Sequence, residues 1–218
     1  MTSDSRKPRR LTTPPLDSGD PSGLRRDPPG IEQHFFSSRG GRKKKSAFSK
    51  RDQTAIHEAA HTTVATMIHP GIVQEVFISD TAVEITEVYN EVNISLQGLT
   101  GGIRFDKVQT TVFENGLISY SGFFAECENL YRSGVDLEPL LPQLRAQASH
   151  DIDRYHALLV SEGLTEGEIQ SLVTDIGGAL KNYFDSGIWE AVRAIADALL
   201  VRGRLTKDEV LELMPEFT

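Results

Sequence analysis

The chain has 218 residues, with 31 Asp/Glu against 23 Lys/Arg and a formal net charge of −8, a length that suits one domain with a tail or two small domains. Its single cysteine, Cys127, excludes an internal disulfide and any cysteine-built metal site and reads as a small core residue. No window reaches about eighteen consecutive apolar residues, which argues against a transmembrane helix.

The charge is divided unevenly. The first fifty residues carry twelve Lys/Arg against five Asp/Glu, whereas 51–218 carry eleven against twenty-six. The same stretch holds Pro14-Pro15, Pro28-Pro29, Gly40-Gly41 and the run Arg42-Lys43-Lys44-Lys45. It offers too little apolar surface to offset the entropy of ordering it, so 1–48 is expected to be a disordered basic tail ahead of a domain at 49–215. A solvated tail is its plain reading. The basic run also suits an anionic membrane, nucleic acid or the acidic body of a second copy, although no strong nucleic-acid signal accompanies it. No apolar run near the start resembles a signal peptide, and Asp4, Asp17, Asp20 and Asp27 argue against a transit peptide. A cytoplasmic location is therefore expected.

The first predicted helix begins at Ser49, with Asp52 placed to complete a cap. Ile56, Ala59, Ala60, Thr63, Val64, Met67 and Ile68 recur at helical spacing until Pro70-Gly71 ends the pattern. On this helix stands His57-Glu58-Ala59-Ala60-His61. Positions i and i+4 lie one above the other, so both imidazoles can reach one ion, and Glu58 sits about 100° around the axis beside it. This is the H-E-x-x-H arrangement of zinc peptidases, in which the glutamate acts as general base. The plain alternative is a pair of surface histidines. Against it, both lie next to the apolar stripe, where a free imidazole is poorly solvated.

Further on the period changes. Ile72–Ser79, Ala82–Tyr89 and Val92–Leu96 alternate apolar and polar residues and read as short strands, with Gly102–Phe105 as a further one. Helical spacing returns over about 108–131, and a third long helix is expected over about 137–160. Thr165-x-x-Glu168 and Thr206-x-x-Glu209 are capping boxes that each announce a helix. Between them Trp189, Val192, Ile195, Ala196, Leu199 and Leu200 form an apolar helical stripe. The expected fold class is α+β: a mostly α-helical, zincin-type peptidase domain with one small β-sheet after the metal-binding helix. An exposed strand edge beside the metal would take a substrate peptide as an added strand.

A catalytic zinc usually takes three protein ligands and keeps one position for water. The residue six after His61 is Met67, so no third histidine follows at the metzincin spacing, and His69 stands just before the helix-ending proline. The later candidates are Glu126, His150, Asp151, Asp153 and His156. Glu58-x-x-His61 also fits half of a di-iron carboxylate site, with Asp153-x-x-His156 as an imperfect second half and Glu126 as an added carboxylate. The β-rich stretch 72–105 speaks against the four-helix bundle that such a site needs.

Four stretches in order resemble the protease domain of the FtsH family, the membrane-anchored AAA-type zinc metalloproteases. His57-Glu58-Ala59-Ala60-His61 stands for that family's H-E-A-G-H, Gly122-Phe123-Phe124-Ala125-Glu126 for G-x-A-A-E, and Ser149-His150-Asp151-Ile152 for S-N-D-[LI]. Trp189 to Val210 resembles the closing helix and its short capped successor. The resemblance covers about residues 50–212. It implies Zn²⁺ as cofactor, Asp151 as third ligand beside His57 and His61, and a ring-shaped homo-oligomer. Glu126 is then a candidate to orient His57 or His61 through a ring N–H. Ala60 departs from the family glycine. His150 replaces its asparagine and becomes a candidate for an additional metal or substrate contact. These residues include no phosphate-binding loop, so the expectation is an ATP-independent metallopeptidase acting on short or unfolded polypeptides unless a separate ATPase feeds it. A catalytically silent binding module that keeps the ion is the other reading.

Overall fold

The computed structural model describes residues 49–89, 92–106 and 110–215, and for 82–89 and 92–99 the backbone alone. The expected tail at 1–48 lies outside the described residues. Helix α1, Lys50–Ile68, starts as its sequence predicts: Ser49 Oγ accepts from the Asp52 amide while the Asp52 carboxylate accepts from the Ser49 amide. It stops at His69, immediately before Pro70, whose ring bars continuation.

The chain then forms β1, Val73–Tyr89, and β2, Val92–Phe105, paired antiparallel from Val73 opposite Phe105 to Tyr89 opposite Val92. The short strands expected from the alternation run together into these two long ones. The register shifts between Ile78 and Ile85 mark the place where the alternation broke. On the other side of β1, residues Glu75–Phe77 pair with β3, Arg204–Thr206, giving the order β2-β1-β3. Nothing in the sequence announces β3. Its last residue, Thr206, also caps the following helix, so the capping box is visible and the strand in front of it is not.

Helix α2, Val112–Arg132, opens on a capping box made by Thr111 and Glu114. The single helix expected over 137–160 is two, α3 at Leu141–Gln147 and α4 at Ser149–Ser161, separated by Ala148 at φ −88°, ψ 4°. Pro142 sits in the first turn of α3, where its missing amide donor leaves no helical hydrogen bond unmade, and Pro139 lies just ahead of that start. The bend gives α4 its own N-terminus, with Asp151 in the first turn, where the helix dipole favours a carboxylate. Helix α5, Glu166–Tyr183, passes through a wide turn at Phe184–Ile188 into α6, Trp189–Arg202. Gly187 allows that turn, since its φ of 107° would strain any other residue. Helix α7, Lys207–Leu213, closes the described chain.

The described architecture is thus mostly helical with one three-stranded antiparallel sheet. Helix α1 packs against α2, α6 and the strands. Ile56 and Val64 of α1, Leu117 and Phe124 of α2, Leu159 of α4, Ile176 of α5 and Ile195 of α6 share one apolar core. Full burial of such side chains contributes about 1.5–3 kcal/mol each. Among the described residues no helix is long and apolar enough to cross a membrane.

Helices α2, α4 and α5 meet at Gly116. A Cβ there would strike Ile176 Cδ1 and stand 2.6 Å from Tyr155 Oη. Neither can move aside: Ile176 is fully buried, and Tyr155 is pinned by a 3.1 Å hydrogen bond to the Val112 carbonyl. Gly116→Ala is therefore expected to lower stability by about 1–3 kcal/mol through overpacking. Chemical denaturation checks this; an unchanged midpoint at constant slope would show that the three helices do not need this close approach.

Candidate metal centre

His57 and His61 project from successive turns of α1 with their rings edge to face, centroids 4.6 Å apart. Their Nε2 atoms are 2.9 Å from each other. Asp151 Oδ2 completes a triangle, 3.1 Å from His57 Nε2 and 3.3 Å from His61 Nε2. Residues 57 and 151 are thus brought together by the α2–α4 packing rather than by proximity in sequence. The Asp151 side chain is 34% exposed against 13% and 8% for the two rings, so the cluster opens to solvent on the α4 side.

The opposite ring nitrogens decide what the cluster can do. His61 Nδ1 lies 2.5 Å from the Ile118 carbonyl, which can only accept, so that nitrogen carries the hydrogen. Ser121 Oγ lies 3.2 Å from the same nitrogen and donates to the same carbonyl. His57 Nδ1 lies 2.7 Å from Glu126 Oε1 and donates to it. In the neutral rings both Nε2 atoms therefore present lone pairs, and these face each other and the carboxylate of Asp151. Three converging lone pairs repel unless a cation sits among them. A metal ion is one such cation, and the donor hydrogen bonds at both Nδ1 atoms are those that hold ligand imidazoles in place. His57, His61 and Asp151 form a group able to hold a metal ion, with donor atoms all within 4.8 Å.

A proton is the other candidate. Burial disfavours a charged His57, but the hydrogen bonds to Asp151 and Glu126, helped by the charges of Glu58 and Glu126, outweigh it and push its pKa up to about 10. Burial alone would raise Asp151; the hydrogen bonds to both histidines and their charges instead hold its carboxyl well below the usual carboxylate range. Glu58, partly buried beside the pair, moves the other way. Burial pushes its carboxyl up, His57 and His61 pull it down, and Asp151 and Glu126 add to the upward push.

Two glycines make the arrangement sterically feasible. A Cβ on Gly122 of α2 would stand 2.6 Å from His57 Nε2 and Cε1 and from His61 Nε2, so the imidazole pair lies directly on the backbone of α2. A Cβ on Gly101 of β2 would stand 2.7 Å from Cγ and Oε1 of Glu58. Neither glycine has a positive φ, so each is needed for space rather than for backbone conformation.

The other candidates fall in different places. Glu126 is buried and orients His57, while its Oε2 has no hydrogen-bond partner. His150 is exposed on α4 and is not among the residues whose ligand atoms converge. Asp153 is exposed, and His156 is engaged by Tyr120 Oη at 2.8 Å, so the structure does not assemble the second half of a di-iron site around them. His69 faces Glu114 at 3.7 Å. Sequence reasoning missed Gly101, Gly122, Ser121 and the Ile118 carbonyl. Only Gly122 left a trace, as the first residue of the segment ending in Glu126; a carbonyl acceptor has none. No family model and no curated protein matches the sequence, so the geometry of the site carries the functional reading.

Metal and proton compete for the same lone pairs, and uptake of a divalent ion near neutral pH is expected to release about one proton. Calorimetry in buffers of differing ionisation enthalpy measures this, and absence of release would contradict the shared site. The sign for stability follows from the raised His57 value. Its contribution to the metal-free fold is fully present below the ordinary 6.5 and is lost as pH rises to about 10. The metal-free protein is therefore expected to melt at progressively lower temperature across that window.

Proposed function

We infer that this protein is a zinc-dependent peptidase acting on short or already unfolded polypeptides without an ATPase module among these residues. One observation carries the reading: two imidazoles protonated at Nδ1, with a carboxylate, aim three lone pairs at one point, and a glutamate stands beside it. Tetrahedral zinc ligands at 2.0–2.2 Å stand about 3.3–3.6 Å apart, and the observed edges of 2.9–3.3 Å need to open only slightly. Two nitrogens and one carboxylate oxygen also suit zinc chemically, and three protein ligands leave a position for water or substrate.

His57 Nε2, His61 Nε2 and Asp151 Oδ2 would hold the ion. Bound zinc supplies a Lewis acid that polarises a peptide carbonyl and makes water acidic enough to lose a proton near neutral pH. Beside the ion Glu58 would serve as the general base that takes a proton from water and as the acid that returns it to the leaving amine. The upward displacement of its carboxyl suits this, since a base works best with a pKa near the working pH. Glu126 and the Ile118 carbonyl keep both rings aimed inward throughout. Strand β2 is one of the two edge strands of the described sheet and lies against Glu58 at Gly101, so a peptide added along it would pass close to the site.

Glu58→Gln preserves size and removes the base. It is expected to lower hydrolysis of a mixed peptide or casein substrate by about 10²–10⁴-fold while zinc stays bound at wild-type stoichiometry. Full activity in that variant would refute the role of Glu58, and an inactive wild type loaded with zinc would refute the peptidase reading.

A further inference from the structure

Helix α1 presents two faces to two neighbours. His57 and His61 lie on Gly122 of α2, whereas Thr54 and Glu58, one turn apart, face Gly101 of β2. At Gly101 there is no room for a methyl group: a Cβ would stand 2.7 Å from Glu58 Cγ, Glu58 Oε1 and Thr54 Cγ2. Favourable carbon contacts begin near about 3.5 Å. Glycine inside a strand weakens it and often marks close approach by another group. Here the backbone conformation itself does not demand glycine: Gly101 pairs with Ile78 at the last position before the register shift towards Val83, and it has no positive φ. The approaching group is the carboxylate arm of Glu58.

We propose that Gly101 is a positioning residue for Glu58, the backbone of β2 forming the wall against which the base rests. This deepens the peptidase reading and rests on it. The wall blocks rotation of Glu58 towards the sheet and leaves its carboxylate the side facing the His57–His61–Asp151 cluster. The turns of α1 on either side cannot yield easily: Thr54 Oγ1 donates to the Lys50 carbonyl at 3.1 Å and Thr62 Oγ1 to the Glu58 carbonyl at 2.7 Å. A methyl at 101 therefore displaces the carboxylate, while the histidines, on the α2 side, keep their places.

The test compares wild type, Gly101→Ala and Gly101→Ala/Thr54→Ser as zinc-loaded full-length protein, measuring zinc affinity, kcat and KM. Gly101→Ala is expected to bind zinc within about twofold of wild type and to leave KM within about threefold, while kcat falls by about 10²-fold, as expected for a reacting group misplaced by about 1 Å. Thr54→Ser removes only the second collision, so it is expected not to restore kcat. In a Glu58→Gln background, Gly101→Ala is expected to add no further loss, because the group it positions is already gone. A kcat within twofold of wild type, recovery of kcat by Thr54→Ser, or a full additional loss in the Glu58→Gln background would overturn the proposal. If neither Gly101→Ala nor Gly101→Ala/Thr54→Ser folds, adding Glu58→Ala to the latter decides, because it relieves both collisions of the new methyl. A folded, zinc-binding triple variant traces the block to the Glu58 side chain and supports the contact; continued failure overturns it. An inactive wild type refutes the peptidase reading, whereas an active wild type matched by an equally active Gly101→Ala refutes only this inference.

Discussion

The two histidine rings share a constraint that the rest of the site serves: each must give its Nδ1 hydrogen to a fixed acceptor. Glu126 takes one and the Ile118 carbonyl takes the other. Both acceptors belong to α2, so the packing of α1 on α2 sets the tautomer of the rings as well as their position. Two lone pairs are then forced to within 2.9 Å, and Asp151 adds a third. That geometry is unfavourable by itself and becomes favourable once a cation occupies it. Metal affinity and fold are thus coupled through side chains that make little sense without a positive charge between them.

The same helix is held on two sides by backbone approach rather than by interlocking side chains. Gly122 sets the depth of the histidine pair and Gly101 the position of Glu58. These contacts separate two tasks. One interface decides whether an ion is held, and the other decides where a proton acceptor stands beside it. Residues one apart on α1, His57 and Glu58, therefore answer to different neighbours, because a helix turns about 100° per residue.

Much of this was legible because its signals are local. The cap formed by Ser49 and Asp52 and the boxes at Thr165 and Thr206 involve residues three apart, and each marks a helix start in the structure, while Pro70 marks the end of α1; the box at Thr111 was there to be read and only the helix it opens was expected. His57 and His61 were readable for the same reason. Asp151 was not, since nothing local separates it from Asp153 or His150; it entered through a resemblance, and the structure places it at the imidazoles through the crossing of α4 over α2. The merging of short strands into β1 and β2 and the three-residue β3 depend on strand pairing that periodicity does not record, and the division of the helix expected over 137–160 turns on a single residue, Ala148, that leaves helical values. The roles of Gly101 and Gly122 were likewise hidden, because a glycine chosen for closeness looks in sequence like one chosen for a turn.

Asp151 Oδ2 and the two Nε2 atoms must grip one ion together for this site to work. Zinc stoichiometry and affinity, measured by competition with a chelating dye for wild type and Asp151→Ala, test this most directly. One zinc per wild-type chain is expected, with affinity lowered at least about 10²-fold in Asp151→Ala, since removing the carboxylate takes away a ligand and leaves two neutral imidazoles facing each other. Equal zinc affinity in the two proteins, or no zinc retained by the wild type, would contradict it.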